Sequence, residues 1–188
     1  MNAQFDITGV RIETPRLILR PWCESDLLDF HEYARVEGVG EMAGWPHHKS
    51  LEDTEIILRK FIDHRKTFAL ELKHNKKVIG SLGIEKLDPD PVEGEFYGRE
   101  IGYVLSKDYW GNGLMPEAVG AVIDYCFHVL GYDYLTCGHF ERNDRSRRVI
   151  EKSGFRYFGE SEYKTRYGTV EIARNYILYN PKRSHNNV

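Results

Sequence analysis

The sequence predicts a mixed α+β fold on three observations. Apolar residues recur at helical spacing in about four segments, short apolar runs bounded by turn residues supply about seven strands, and the two kinds of segment interleave. No repeat, linker or abrupt change of composition divides the 188 residues, which suits one domain over 1–188 with its core at about 12–180. Hydrophobic residues at 41% and charged residues at 29% are ordinary globular proportions. A chain of this size hides about 70% of its surface on folding, enough for a full core without disulfides.

From the N-terminus, Arg-Leu-Ile-Leu-Arg at 16–20 has the length and apolar content of a strand, and Pro21 stops it. Ser25 and Asp26 offer a cap for a helix carrying Leu27, Phe30 and Ala34. A second helix is expected from Ser50, where Ser50 and Asp53 make a capping box and Leu51, Leu58, Phe61 and Ile62 an apolar face. Residues 68–73 and 78–86, joined by the polar His74-Asn75-Lys76, predict an antiparallel hairpin. Segment 88–98, rich in Pro, Gly and acidic residues, predicts an exposed loop, and 100–106 a further strand. The turn Trp110-Gly111-Asn112-Gly113 then opens an amphipathic helix with Val119, Val122, Ile123, Cys126, Phe127 and Leu130 at helical spacing. Residues 134–139 read as a strand and 144–153 as a helix closed by Gly154 in the left-handed cap position. Two strands follow at 156–163 and 170–179, and the tail beyond Pro181 is expected to fray.

Several function classes fall away on composition. Lys+Arg 26 against Asp+Glu 29 leaves a net charge of −3, so no overall field draws the chain to nucleic acid. The apolar runs are far shorter than the roughly 20 residues a membrane helix needs, and the start Met-Asn-Ala-Gln-Phe-Asp lacks the basic flank and apolar run of a leader. No membrane partner and a cytoplasmic location are therefore expected. Cys23, Cys126 and Cys137 are odd in number and widely spaced, which suits a reducing compartment better than a disulfide or zinc framework.

The most informative place is the turn at 110–113. A strand that runs into a glycine turn and then a helix presents unpaired N–H groups backed by the positive end of the helix dipole, and such a turn binds phosphate. The nucleotide P-loop needs Gly-Lys-Ser/Thr where this chain has Gly113-Leu114-Met115-Pro116, and the dinucleotide fingerprint needs a third glycine where Pro116 stands. Gly-x-Gly alone admits a plain strand-to-helix turn as readily as an anion site. Cys137 and His139 share a strand face, an arrangement more often core than a thiol nucleophile. His47 and His48 lack metal-ligand spacing, and no metal is expected.

The turn sits in a longer phrase. Arg99-Glu100-Ile101-Gly102-Tyr103-Val104-Leu105 followed by Tyr109-Trp110-Gly111-Asn112-Gly113-Leu114-Met115-Pro116-Glu117-Ala118 resembles the acetyl-CoA-binding region of the GNAT acetyltransferases, nearest to the RimJ/RimL ribosomal-protein branch. Asn143-Asp144-Arg145-Ser146 followed by Glu151-Lys152-Ser153-Gly154-Phe155, and Thr14-Pro15-Arg16-Leu17 at the front, extend the resemblance over about residues 12–179.

The resemblance implies a strongly twisted central sheet, splayed to hold acetyl-CoA as co-substrate. Backbone groups of Ile101, Gly102, Tyr103, Val104 and Leu105 would pair with the pantetheine arm. N–H groups of Trp110, Gly111, Asn112, Gly113, Leu114 and Met115 would hold the pyrophosphate. Trp110 is usual in that branch, whereas Met115 replaces a small residue. A strand bulge near Gly102 and Tyr103 would place a donor at the thioester carbonyl, Glu100 would act as base on the amine, and Ser146 as acid on the sulfur. Asn143 would touch the cofactor arm, and Asn143 and Ser146 can equally cap their helix. Trp45 and His47, with Glu100, would line the acceptor pocket. The cluster Arg142, Arg145, Arg147 and Arg148 either meets the ribose phosphate or is a solvated helix face. The acceptor is a protein N-terminus or a small amine. The alternative is a non-catalytic acyl-CoA sensor or scaffold. Dimers are frequent in the family, and a homodimer is open here.

Overall fold

A computed structural model describes residues 1–3 and 5–182, so the expected fraying of the tail falls on 183–188, outside the described residues. Eight strands form one sheet: β1 (Ile12–Glu13), β2 (Leu17–Arg20), β3 (Thr67–Leu72), β4 (Val78–Glu85), β5 (Gly98–Leu105), β6 (Tyr134–Phe140), β7 (Arg156–Lys164) and β8 (Val170–Tyr179). Their order is β1-β2-β3-β4-β5-β6-β8-β7, and every pairing is antiparallel except β5 with β6. Four α-helices flank it among the described residues: α1 (Leu27–Ala34), α2 (Leu51–His64), α3 (Leu114–Asp124) and α4 (Asp144–Lys152). The mixed fold is as the pattern predicts, with one strand more: Ile12–Glu13 is too short to show as a periodic run.

One core cluster packs Leu114, Met115, Ala118, Val119 and Val122 of α3 and Ile150 of α4 against Leu17, Leu19, Phe68, Leu70 and Ile101 of the sheet. A second joins Phe30, Tyr33 and Ala34 of α1 and Leu58 of α2 to Trp22, Ala69 and Val78. The capping box of α2 forms, with Asp53 N–H donating to Ser50 Oγ at 3.1 Å and Ser50 N–H to Asp53 Oδ2 at 3.0 Å. Leu51, expected on its apolar face, is instead 42% exposed.

Three local expectations are corrected. Asp26 does not cap α1 itself; its buried carboxylate accepts from Cys23 N–H at 2.9 Å, in the capping box of the 3-10 turn Glu24–Asp26 that leads into α1, and pairs with Arg20 at 2.8 Å through both oxygens, while Arg20 also holds Glu71 at 2.7 Å. A bidentate guanidinium satisfies a buried carboxylate better than a helix amide alone. The loop after β4 is not uniformly exposed: Leu87 and Val92 pack with Phe96 on Tyr134 and Ile177. Gly98 belongs to β5, where an added Cβ would come within 2.3 Å of the Tyr134 ring. The helix opened by Leu114 ends in a π-helical turn, Tyr125–Val129, whose extra residue keeps Cys126 and Phe127 in the core.

The start of β2 is tied to the start of α3. Glu117 accepts from Thr14 Oγ1 at 2.6 Å, from Arg16 N–H at 2.9 Å and from Arg16 Nε at 2.6 Å, while Arg16 Nη1 reaches the Asn112 carbonyl at 2.8 Å. Burial opposes ionisation of Glu117, but the bonds from Thr14 and Arg16 outweigh it and hold the carboxyl below its ordinary value of 4.5. A carboxylate of this kind stabilises above its unfolded value and loses that contribution as pH falls through its folded one. Glu117→Gln should therefore cost about 1–3 kcal/mol at neutral pH, with the gap to wild type closing in acid, as read from urea midpoints at several pH values.

Candidate active site

β5 and β6 pair only from Gly98↔Tyr134 to Ile101↔Cys137. Beyond that point each strand follows its other neighbour: β5 stays on β4 to Leu105↔Gly80, and β6 stays on β8 to Phe140↔Ala173. A cleft of about 1140 Å³ opens between them. Ser106 N–H donates to the Ile79 carbonyl at 2.7 Å. Successive residues of an antiparallel strand turn their backbone groups to opposite edges, so Gly102 and Val104 also face β4 while Tyr103 and Leu105 face the open edge. The indole Nε1 of Trp110 donates to the Leu105 carbonyl there at 2.8 Å. The register between β4 and β5 is unbroken from Glu85↔Glu100 to Gly80↔Leu105, so the bulge expected near Gly102 and Tyr103 is absent. Divergence from β6 frees this edge instead.

At the end of β5 the chain turns through Gly111 (φ 80°) and Gly113 (φ 73°), a left-handed backbone that side chains oppose, and enters α3. Asn112 lies outside the cleft lining; its side-chain amide donates to the Tyr109 and Trp110 carbonyls at 3.3 and 3.4 Å, bracing the turn. Among the described residues, no acceptor in the chain takes the N–H groups of residues 111–115. Pro116 has none to offer and sits in the first helical turn, where none is needed. Leu114 and Met115 bury their side chains in the core at 5% and 4% exposure, so Met115 does not crowd the turn. The Arg145 guanidinium lies 4.4 Å from the Trp110 ring centre beside the turn, and Arg148 and Lys152 also line the cleft. Arg142 and Arg147 are held elsewhere, by Glu171 at 3.0 Å and Asp144 at 3.1 Å. Free amides and cations together suit an anion of the size and charge of a pyrophosphate.

Glu100 lines the cleft where β5 and β6 still pair, opposite Thr136. Among the described residues nothing donates to its carboxylate. Burial, and secondarily the charge of Glu85 on the facing strand, push its carboxyl above the ordinary range, the environment of a proton acceptor. Ser146 stands in the first turn of α4, its N–H bonded to Asn143 Oδ1 at 3.2 Å, so Asn143 caps the helix while also lining the cleft. Ser146 Oγ is 2.9 Å from the hydroxyl of Tyr103, a pairing across 43 residues that no local motif announces. Cys137 is buried and its thiol is pushed up, by burial first and then by Glu100, which leaves it inert as a nucleophile. His139 spends both ring nitrogens, on the Phe140 carbonyl at 2.8 Å and the Tyr176 hydroxyl at 3.3 Å.

Trp45 and His47 do not reach the cleft. The Trp45 ring covers Gly40, where an added Cβ would lie 2.3 Å from it, and packs on His48. His47 Nδ1 is 2.8 Å from Glu41 Oε1. The wall they support is the turn Glu41–Ala43, whose Met42 and Ala43 line the cleft. That turn is tied across the mouth by Tyr167 Oη to the Glu41 carbonyl at 3.0 Å and Arg166 N–H to the Gly44 carbonyl at 2.8 Å. These partners lie more than 100 residues apart, beyond the reach of sequence pattern. No cluster of three or more His, Cys, Asp or Glu able to hold a metal ion is found among the described residues, and no helix there is long and apolar enough to cross a membrane.

Comparison with known proteins agrees with this architecture. The uncharacterized N-acetyltransferase YoaA of Bacillus subtilis (strain 168) is 26% identical over 177 residues, 91% of this chain and 97% of its own. A GNAT-family acetyltransferase from Bacillus anthracis superposes with a TM-score of 0.79 at 23% identity, covering 92% of this chain and 100% of that one. A ribosomal-protein-S5-alanine acetyltransferase from Vibrio fischeri does so with a TM-score of 0.72 at 22% identity, covering 93% and 99%. Residues 16–156 match the family described as acetyltransferase (GNAT) domain, and the chain belongs to that family.

Proposed function

We propose that the protein transfers an acetyl group from acetyl-CoA to a primary amine by direct attack within one ternary complex, as a single acetyltransferase domain in the cytoplasm. The observation that carries this reading is the arrest of β5–β6 pairing at Ile101↔Cys137, with free amides at one end of the gap and Glu100 at the other. The N–H groups of residues 111–115 would hold the pyrophosphate, and the open edge at Tyr103 the pantetheine amides, as an added strand. Acetyl-CoA supplies an acetyl carbon activated as a thioester. Glu100 takes the proton of the incoming ammonium, directly or through water. The Tyr103 N–H faces the open edge as a donor for the carbonyl oxygen, and Ser146 gives a proton to the sulfur as the C–S bond breaks and the C–N bond forms, regaining one, through water, from the nitrogen as it becomes an amide.

Glu85, paired with Glu100 across β4 and β5, and Asp88 also line the cleft, which favours an acceptor that arrives as a cation, whether a protein N-terminus or a small amine. The V. fischeri enzyme, named for an alanine of a ribosomal protein, supports the RimJ/RimL-like reading. The test is a calorimetric titration with acetyl-CoA followed by thiol release against a panel of N-terminal peptides and small amines. No binding heat overturns the reading, and binding without thiol release on the whole panel points to a sensor or scaffold.

Glu100→Gln should lower kcat/KM about 10²-fold at neutral pH and by much less in alkali, where more acceptor is already unprotonated; a uniform loss at every pH would remove Glu100 as base. Glu85→Gln withdraws a charge that raises the Glu100 carboxyl, so the acid limb of the kcat/KM profile should move to lower pH.

A further inference from the structure

We propose that Tyr103 is a positioning residue for Ser146: its phenol donates to Ser146 Oγ and so leaves the serine's single proton free to point into the cleft at the departing sulfur. The inference rests on the reading of Ser146 as the acid, and it assigns Tyr103 side-chain work separate from its backbone role.

A serine hydroxyl has one proton and two lone pairs, and on a helix it readily spends that proton on the carbonyl four residues back. A donor on the serine oxygen removes one lone pair from play and sets where the proton points. Tyr103 is such a donor. Its oxygen lies 2.9 Å from Ser146 Oγ and 3.2 Å from the Ser146 carbonyl; either hydroxyl can be the donor between the two oxygens, and the tyrosine proton is here assigned to the shorter contact. Were the phenol ionised, the serine proton would turn inward to it. Burial prevents this by holding the phenol well above its ordinary value. The neighbouring Cys137 thiol is buried, which holds its own proton in place. Tyr103 Oη and Ser146 Oγ come from different elements, β5 and α4, which stand together where the sheet has parted.

The test follows the thiol of bound CoA, whose ionisation is read by ultraviolet thiolate absorbance in wild type, Tyr103→Phe, Ser146→Ala and the double variant. Calorimetry gives CoA affinity, and kcat is measured on the best acceptor. A proton aimed at the sulfur stabilises the thiolate, so each single variant should move the bound thiol's titration up by about one pH unit and lower kcat about tenfold, with CoA affinity at neutral pH changed less than about twofold. The double variant should be no worse than Ser146→Ala alone. Tyr103→3-fluorotyrosine, a stronger donor of nearly the same shape, should move the titration down. Multiplying effects in the double variant, an unmoved titration in Tyr103→Phe, or a Ser146→Ala variant indistinguishable from wild type would overturn the proposal. The thiol titration needs no acetyl transfer, so failure of the activity reading is told apart from failure of this one.

Discussion

Everything in the cleft depends on one arrested ladder. β5 and β6 are neighbours for four residues and then separate, because β5 is carried on by β4 and β6 by β8, whose ladders continue unbroken. Sheets avoid unpaired inner edges, since each buried N–H or C=O left without a partner costs free energy. Here the cost is limited by the width of the gap, which admits solvent or a ligand backbone. The groups at Tyr103 face the gap by virtue of the same alternation that builds the sheet, while the Leu105 carbonyl there is taken by the Trp110 indole.

The two ends of the gap carry opposite charge. Arg145 stands over Trp110 at the glycine turn, and Glu85 and Glu100 face each other where β5 and β6 still pair. A net charge of −3 conceals this separation entirely. The turn is held from behind by Arg16 and Glu117, so the free amides are aimed by an ion pair between the beginning of the chain and its middle. This link gives the stretch Thr14-Pro15-Arg16 a purpose beyond opening a strand.

Burial assigns the remaining groups. Cys137 and His139 share a strand face as their spacing requires, yet the histidine is spent on Phe140 and Tyr176 and the thiol faces Tyr103. Proximity along the chain suggested a nucleophilic pair; the partners chosen in space make both structural. Tyr103 moved the other way, from a backbone contributor to the side chain beneath Ser146.

By itself, the sequence determined the interleaved helices and strands, the capping box at Ser50 and Asp53, and the glycine turn, because each is a matter of period or of backbone conformation within a few residues. The resemblance of its motifs to an acetyltransferase family carried that local reading to Glu100 and Ser146. Only the tertiary structure decided that Trp45 and His47 support the cleft wall without lining it, that Asp26 holds Arg20 as well as the turn before α1, and that no bulge is needed where β5 turns its back on β6. Those outcomes depend on which strand lies beside which and on contacts across 43 and 126 residues, such as Tyr103 to Ser146 and Tyr167 to Glu41. Hydrophobic period records which face of an element is buried, and it carries no information about the neighbour that buries it.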